Sequence, residues 1–305
     1  MIKSKVFKQV TVLTVIAFAF NSCTKDFDIK VKSNEPQLVV EAYINNEMRQ
    51  YNYVVLSRSL DYFSTDFQSA PVTNATVTIT EGEFINNQYS WDENSKVQLK
   101  EANLSGIPDN FKSGVYFDPR IILDSANSLH GTPGKSYLLE ISESGKQYSA
   151  IATLIKPVPI DSITTGYAFL DEDDGNKSKV RLTNHYQDPD TLGNSQMYMW
   201  RFNENRQRFG WGGFLRTRGP GTDDVTNGQY IRMTHNRGFL VGDTVNYYMA
   251  SVTRDVYNFW DSYNKARNNN GPFATPVSLF GNIKGNNVTG CFSGMSLSSR
   301  LLIIK

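Results

Sequence analysis

The sequence predicts an all-β protein, and three observations carry that reading. Apolar and polar residues alternate in short runs. Turn residues interrupt those runs at short intervals. The chain of 305 residues is also rich in Tyr, Phe, Thr, Asn and Gly, a composition that suits strands and turns better than long helices.

The first element is not part of that fold. Lys3, Lys5 and Lys8 form a basic start, Val10 to Phe20 is almost wholly apolar, and the run stops at Phe20-Asn21-Ser22-Cys23. This is the three-part build of a secretory signal over residues 1–22. The apolar run falls short of the roughly 20 residues that a spanning helix needs, and Lys25, Asp26 and Asp28 follow at once. A cysteine directly after the small residue at the cut marks a lipoprotein signal, so Cys23 is the expected lipidation site. Its thiol takes a diacylglycerol and its freed amine a further acyl chain. Each buried methylene adds about 0.8 kcal/mol, which makes two or three chains a durable anchor. The expected partner is therefore membrane lipid, reached through acylated Cys23.

Residues 23–35 are charged and aperiodic, and read as a tether. Residues 36–157 read as an immunoglobulin-like β-sandwich. Leu38 to Ile44 and Tyr51 to Leu56 are β-rich runs on either side of Asn45-Asn46-Glu47. Ala75, Val77 and Ile79 alternate with Thr76, Thr78 and Thr80, which gives one apolar and one hydroxyl face. The period returns in Tyr137 to Ile141 and in Tyr148 to Leu154, and Ser142-Glu143-Ser144-Gly145-Lys146 between them suits a hairpin. Several short strands with turns between them suggest a sandwich. Lys156-Pro157-Val158-Pro159 closes the unit, since two prolines cannot continue a central strand.

Residues 158–305 read as a second, mostly-β domain with one amphipathic helix. Its strands are expected at Ser162 to Phe169, Lys179 to Tyr186, Gln196 to Phe202, Tyr230 to His235 and Thr244 to Val252. In Asp255 to Arg267 the apolar Val256, Phe259, Trp260, Tyr263 and Ala266 recur at helical spacing, with Thr253 as N-cap. The apolar end, Leu301 to Ile304, reads as a paired strand.

Charge and cysteine content narrow the function classes. Residues 1–22 carry three lysines and no acid, so a formal net charge of +1 falls to −2 on their removal. No global field recruits nucleic acid. With Cys23 acylated, Cys291 has no disulfide partner and reads as a small core residue. His130, His185 and His235 lie far apart, without the short spacing of a local metal motif. Asp171-Glu172-Asp173-Asp174-Gly175-Asn176 and Asp188-Pro189-Asp190 offer carboxylates to calcium, but their spacing departs from the helix-loop-helix calcium loop and they read as solvated turns. No phosphate loop, nucleophile elbow or dinucleotide fingerprint is present. No catalytic residue, metal or cofactor is expected, and the body reads as a binding protein.

The candidate interaction surface lies in Trp200 to Gly221. It interleaves Arg201, Arg206, Arg208, Arg216 and Arg218 with Trp200, Phe202, Phe209, Trp211 and Phe214. Guanidinium groups and aromatic faces together stack on sugars, bind carboxylates or anchor a peptide or protein. A long hairpin with internal cation–π pairs explains the same composition.

A family resemblance rests on several of these motifs in order. They are the Cys23 start, Leu38-Val39-Val40-Glu41, Pro71-Val72-Thr73-Asn74-Ala75-Thr76-Val77, Pro133-Gly134-Lys135-Ser136-Tyr137, the Tyr148 to Pro157 run, Gly242-Asp243-Thr244-Val245 and the helix with Tyr257. Together they resemble the Bacteroidota outer-membrane lipoproteins that carry domain of unknown function 4249, over nearly the whole mature chain. The resemblance implies a place beside a TonB-dependent receptor, as a ligand-binding or capping subunit, and carries over no catalytic residues. A free-standing glycan-binding or adhesin module is the alternative. Lys25-Asp26-Phe27-Asp28 is similar to the export tags that send such lipoproteins to the cell exterior. Asp124-Ser125-Ala126, Asp161-Ser162-Ile163, Asp190-Thr191-Leu192 and Asp243-Thr244-Val245 fit the phylum's O-glycosylation pattern. Cys291-Phe292 stands where the family usually has Tyr or Phe.

Overall fold

Alternation along each strand decides which side of a sheet meets which core. The computed structural model describes residues 35–60, 70–102, 114–171, 175, 177–202, 215–218, 226–269, 275 and 277–305. Those residues are all-β with one long helix, as the sequence predicts. The strands of the first part are β1 (Leu38–Asn45), β2 (Tyr53–Arg58), β3 (Thr76–Ile85), β4 (Gln88–Trp91), β5 (Val97–Glu101), β6 (Val115–Phe117), β7 (Ser136–Glu143) and β8 (Lys146–Thr153). Those of the second are β9 (Ser162–Thr165), β10 (Phe169–Asp171), β11 (Lys177–Gln187), β12 (Asn194–Phe202), β13 (Leu215–Arg218), β14 (Tyr230–Leu240), β15 (Thr244–Thr253) and β16 (Val288–Ile303). A four-residue helix, α1 (Arg120–Leu123), precedes β7, and α2 (Arg254–Asn268) follows β15. The expected strand from Ser162 to Phe169 is divided between β9 and β10.

Twelve strands form one sheet in the order β13-β12-β15-β16-β1-β2-β6-β5-β3-β7-β8, with β4 on β3. A second sheet runs β10-β11-β14, with β9 on β11. The expected boundary near residue 157 lies between β8 and β9, and the larger sheet contains strands from both sides of it. Strand β16 makes that connection. Val288 to Met295 pair in parallel with β1, and Ser296 to Ile303 pair antiparallel with β15.

The first part curls around a core that includes Val40, Ile44, Val77, Leu139, Ala150 and Phe292. The alternating Val77 and Ile79 face it, as their period requires. The hairpin between β7 and β8 turns on Ser144 and Gly145, both at positive φ, which matches the twist of the flanking strands. Closure comes where β8 meets the segment before β16. Ser149 and Lys284 exchange backbone hydrogen bonds, and Gly294 lets β16 approach β8. A Cβ at Gly294 would lie 2.9 Å from the Thr153 carbonyl oxygen.

In the second part, β12 and β15 are covered on both faces. Met197, Met199, Ala250 and Val252 pack beneath α2. Tyr198, Trp200, Tyr247 and Met249 point the other way, against Val180, Leu182 and Phe239 of the smaller sheet. Three layers result: helix, large sheet, small sheet. Thr253 is the N-cap residue of α2 and Asn269 its C-cap, close to the predicted ends. Trp260 fixes the helix to the sheet by donating its indole N–H to Ser293 Oγ at 3.1 Å.

Candidate interaction surface

Strand β12 carries the first three residues of the expected segment, and alternation sends Trp200 and Phe202 to one face and Arg201 to the other. Trp200 is 1 % exposed, with its ring 5.3 Å from His235 and 5.4 Å from Phe239 between centroids. It is a core residue and not a surface contact, which corrects the expectation. The aromatic and basic composition of its segment concealed a strand buried on both sides. Arg201, its neighbour, is half-buried on the helix side and donates from Nη1 to the Tyr51 hydroxyl at 3.1 Å. Tyr248 lies within the electrostatic reach of both Glu47 and Arg201, and burial raises the pKa of its phenol. Burial also raises Glu47, which hydrogen-bonds to Ser299.

Arg216 and Arg218 lie on β13, in register with Met199 and Met197, and their side chains lie outside the described residues. Arg206, Arg208, Phe209, Trp211 and Phe214 lie outside them altogether, as does Cys23. The structure therefore brings together the backbones of Arg201, Arg216 and Arg218 on paired strands.

Between the two sheets the third core contains a neutral polar seam. The Tyr186 and Tyr198 hydroxyls are 2.8 Å apart, and His235 Nε2 is 2.7 Å from the Tyr247 hydroxyl. Burial lowers His235 to about 4 and raises Tyr186 to about 12. Burial also raises Tyr198 and Tyr247 well above the usual phenol range. At neutral pH the seam is uncharged, and its groups stabilise one another instead of exchanging protons with solvent.

The other reactive side chains are placed on separate elements. His185 Nε2 lies 2.9 Å from Thr164 Oγ1, and burial, aided by the charge of Arg49, lowers His130. Cys291 is a buried core residue, as expected, and its thiol is pushed up to about 12 by burial. A thiol so raised carries almost no thiolate at neutral pH, so it is a poor nucleophile. Among the described residues no group of three His, Cys, Asp or Glu side chains is placed to hold a metal ion.

Of the acidic turns, Asp188 is buried and accepts the Gly228 N–H at 3.3 Å, while Asp190 Oδ1 accepts from Asn227 Nδ2 at 3.1 Å. Both brace the approach to β14. The side chains of 171–174 lie outside the described residues.

The family model described as Domain of unknown function (DUF4249) matches residues 24–300. The chain belongs to the DUF4249 family. No curated protein matches it. The match covers all the described strands except the end of β16, so the two sheets and α2 fall within the DUF4249 region.

A feature absent from the expected surface is an aromatic row on the β3–β4 ribbon: exposed Phe84 and Tyr89 with the half-buried Trp91. Its signal in the sequence was Asn86-Asn87, a hairpin turn pair with aromatic residues at matched distances on either side.

Proposed function

We propose that this DUF4249 member is a surface lipoprotein of the bacterial outer membrane, anchored through acylated Cys23 and facing the cell exterior. In this reading its β body is a ligand-binding or capping subunit of a TonB-dependent transporter. The observation that carries the reading is the leader itself, with Ser22-Cys23 at its end and the family match starting at residue 24. In this reading, cleavage before Cys23 leaves residues 23–305, which contain the whole matched region. A body held at a bilayer surface by two or three acyl chains meets membrane receptors at high effective concentration.

Binding, in preference to catalysis, is supported by the placement of the groups that a hydrolase would use. His235 is enclosed and neutral, Cys291 is enclosed as a thiol, and His185 is engaged with Thr164. Purification of the native protein from solubilised outer membranes tests the proposal. Co-purification of a TonB-dependent barrel is the expected result, and a preparation free of any such barrel counts against it.

A second reading, a free-standing glycan-binding or adhesin module, draws support from the aromatic ribbon. Trp200 has no part in such a contact, because its ring is enclosed.

A further inference from the structure

The β3–β4 ribbon extends past the sheet that supports it. Strand β7 pairs with β3 only from Thr76 to Gly82, whereas β4 pairs from Gly82 to Ile85. Asn86 and Asn87, both at positive φ, close the tip in the left-handed conformation that a two-residue hairpin requires. Phe84 stands directly opposite Tyr89, with ring centroids 4.7 Å apart. Trp91 lies two residues along from Tyr89, its ring 5.2 Å away and nearly parallel, at 8°. Its indole covers Gly82, where a Cβ would come within 2.5 Å of Trp91 Cε3. The three rings therefore form one row on one side of the ribbon.

That row is anchored but not covered. On the other side of the ribbon Glu83 pairs with Lys135, and the Asp92 N–H bonds the Glu81 carbonyl oxygen at 2.9 Å. Phe84 remains 55 % exposed and Tyr89 42 %. Covering Gly82 accounts for Trp91 but not for the two outer rings, which meet water at a cost that burial would remove.

We propose that Phe84, Tyr89 and Trp91 form a stacking site for the pyranose rings of a neutral glycan. Three features favour this occupant. The apolar C–H face of a pyranose matches an aromatic face, and ring positions fixed by cross-strand pairing cost little entropy on binding. Three rings offer far less than the roughly 800 Å² per partner of a standard protein interface, but they match one or two sugar rings. Finally, the row itself is uncharged. Glu83 is engaged with Lys135, and Asn86, Asn87 and Gln88 at the exposed tip are neutral groups suited to hydroxyls.

This inference deepens the binding role proposed above by naming a ligand class. Its readout is separate from receptor co-purification, so either can fail alone. The test is affinity electrophoresis of the full chain in gels containing soluble xylan, galactomannan, mixed-linkage glucan or the anionic polygalacturonate. Retardation by at least one neutral polysaccharide is expected. Tyr89→Ala and Phe84→Ala should each weaken it about tenfold, while Tyr89→Phe, which keeps the ring, should retain most of it. Unchanged urea unfolding midpoints would show that the variants remain folded. Absence of retardation by every neutral polysaccharide overturns the proposal, as does equal retardation of a folded Phe84→Ala/Tyr89→Ala double variant or retardation by polygalacturonate alone.

Discussion

Asparagine side chains here take the place of missing strands. Asn282 accepts the Phe292 N–H at 2.8 Å and donates to the Phe292 carbonyl at 3.0 Å, and Asn46 repeats the pattern on Leu297 at 2.6 and 3.2 Å. Asn45 and Asn52, both buried, bind the β1–β2 connection from within. A buried backbone group left without a partner costs about 1–3 kcal/mol. Asn46→Ala and Asn282→Ala should each lower unfolding stability by that amount in urea titrations. The sequence showed Asn45 and Asn46 only as polar punctuation, because composition does not distinguish a solvated turn amide from one that satisfies buried backbone. His235 provides a second test at this scale. Burial holds it near 4 in the folded chain, against roughly 6.5 when unfolded. As pH falls through 6.5 the unfolded chain takes up a proton that the folded chain refuses, so stability declines down to about pH 4. Above about 6.5 the contribution is complete. The loss amounts to roughly 3 kcal/mol in all. His235→Phe should remove this slope, as read from urea midpoints measured between pH 4 and 7 on both proteins.

At the scale of elements, legibility followed whether one face of the element meets water. Helix α2 was readable because its exposed side carries Asp261 and Lys265, which form an i,i+4 ion pair at 2.6 Å, so that the apolar stripe stood out. Strand β3 was readable from Val77, Ile79 and the threonines between them. Strand β12 was located, but its orientation was not, since Met197 and Met199 fill one core and Tyr198 and Trp200 another. Short strands such as β6 carry too few residues to show a period. The length of β16 was concealed by Gly290, Ser293, Gly294, Ser296 and Ser298, small residues required where other chain segments come close. Two substitutions test the elements. Trp260→Ala should cost about 3–5 kcal/mol by removing a large ring and the partner of Ser293 together. Gly145→Ala, at φ +77 in open space, should cost only about 1 kcal/mol, a purely conformational effect. Both are measured by chemical unfolding.

For the molecule as a whole, β16 joins the three cores. Phe292 belongs to the first, Cys291 and Met295 to the one beneath α2, and Leu302 packs against the third. Ending the chain at Ser296 would leave β15 paired on its β12 edge alone and remove Leu302 and Ile304 from the core between the sheets. The shortened protein should lose cooperative unfolding and near-ultraviolet circular dichroism, and a native transition retained without those residues would contradict the role given to β16. The proposed role as a surface-held binding module rests on the expected leader and on the expected lipidation of Cys23, ahead of the fold. Mass spectrometry of the N-terminal peptide from protein made in its native cells tests this most directly. The expected result is a peptide that begins at Cys23 and carries the added mass of a diacylglycerol and an acyl chain. A peptide that continues from the leader through an unmodified Cys23 would contradict it.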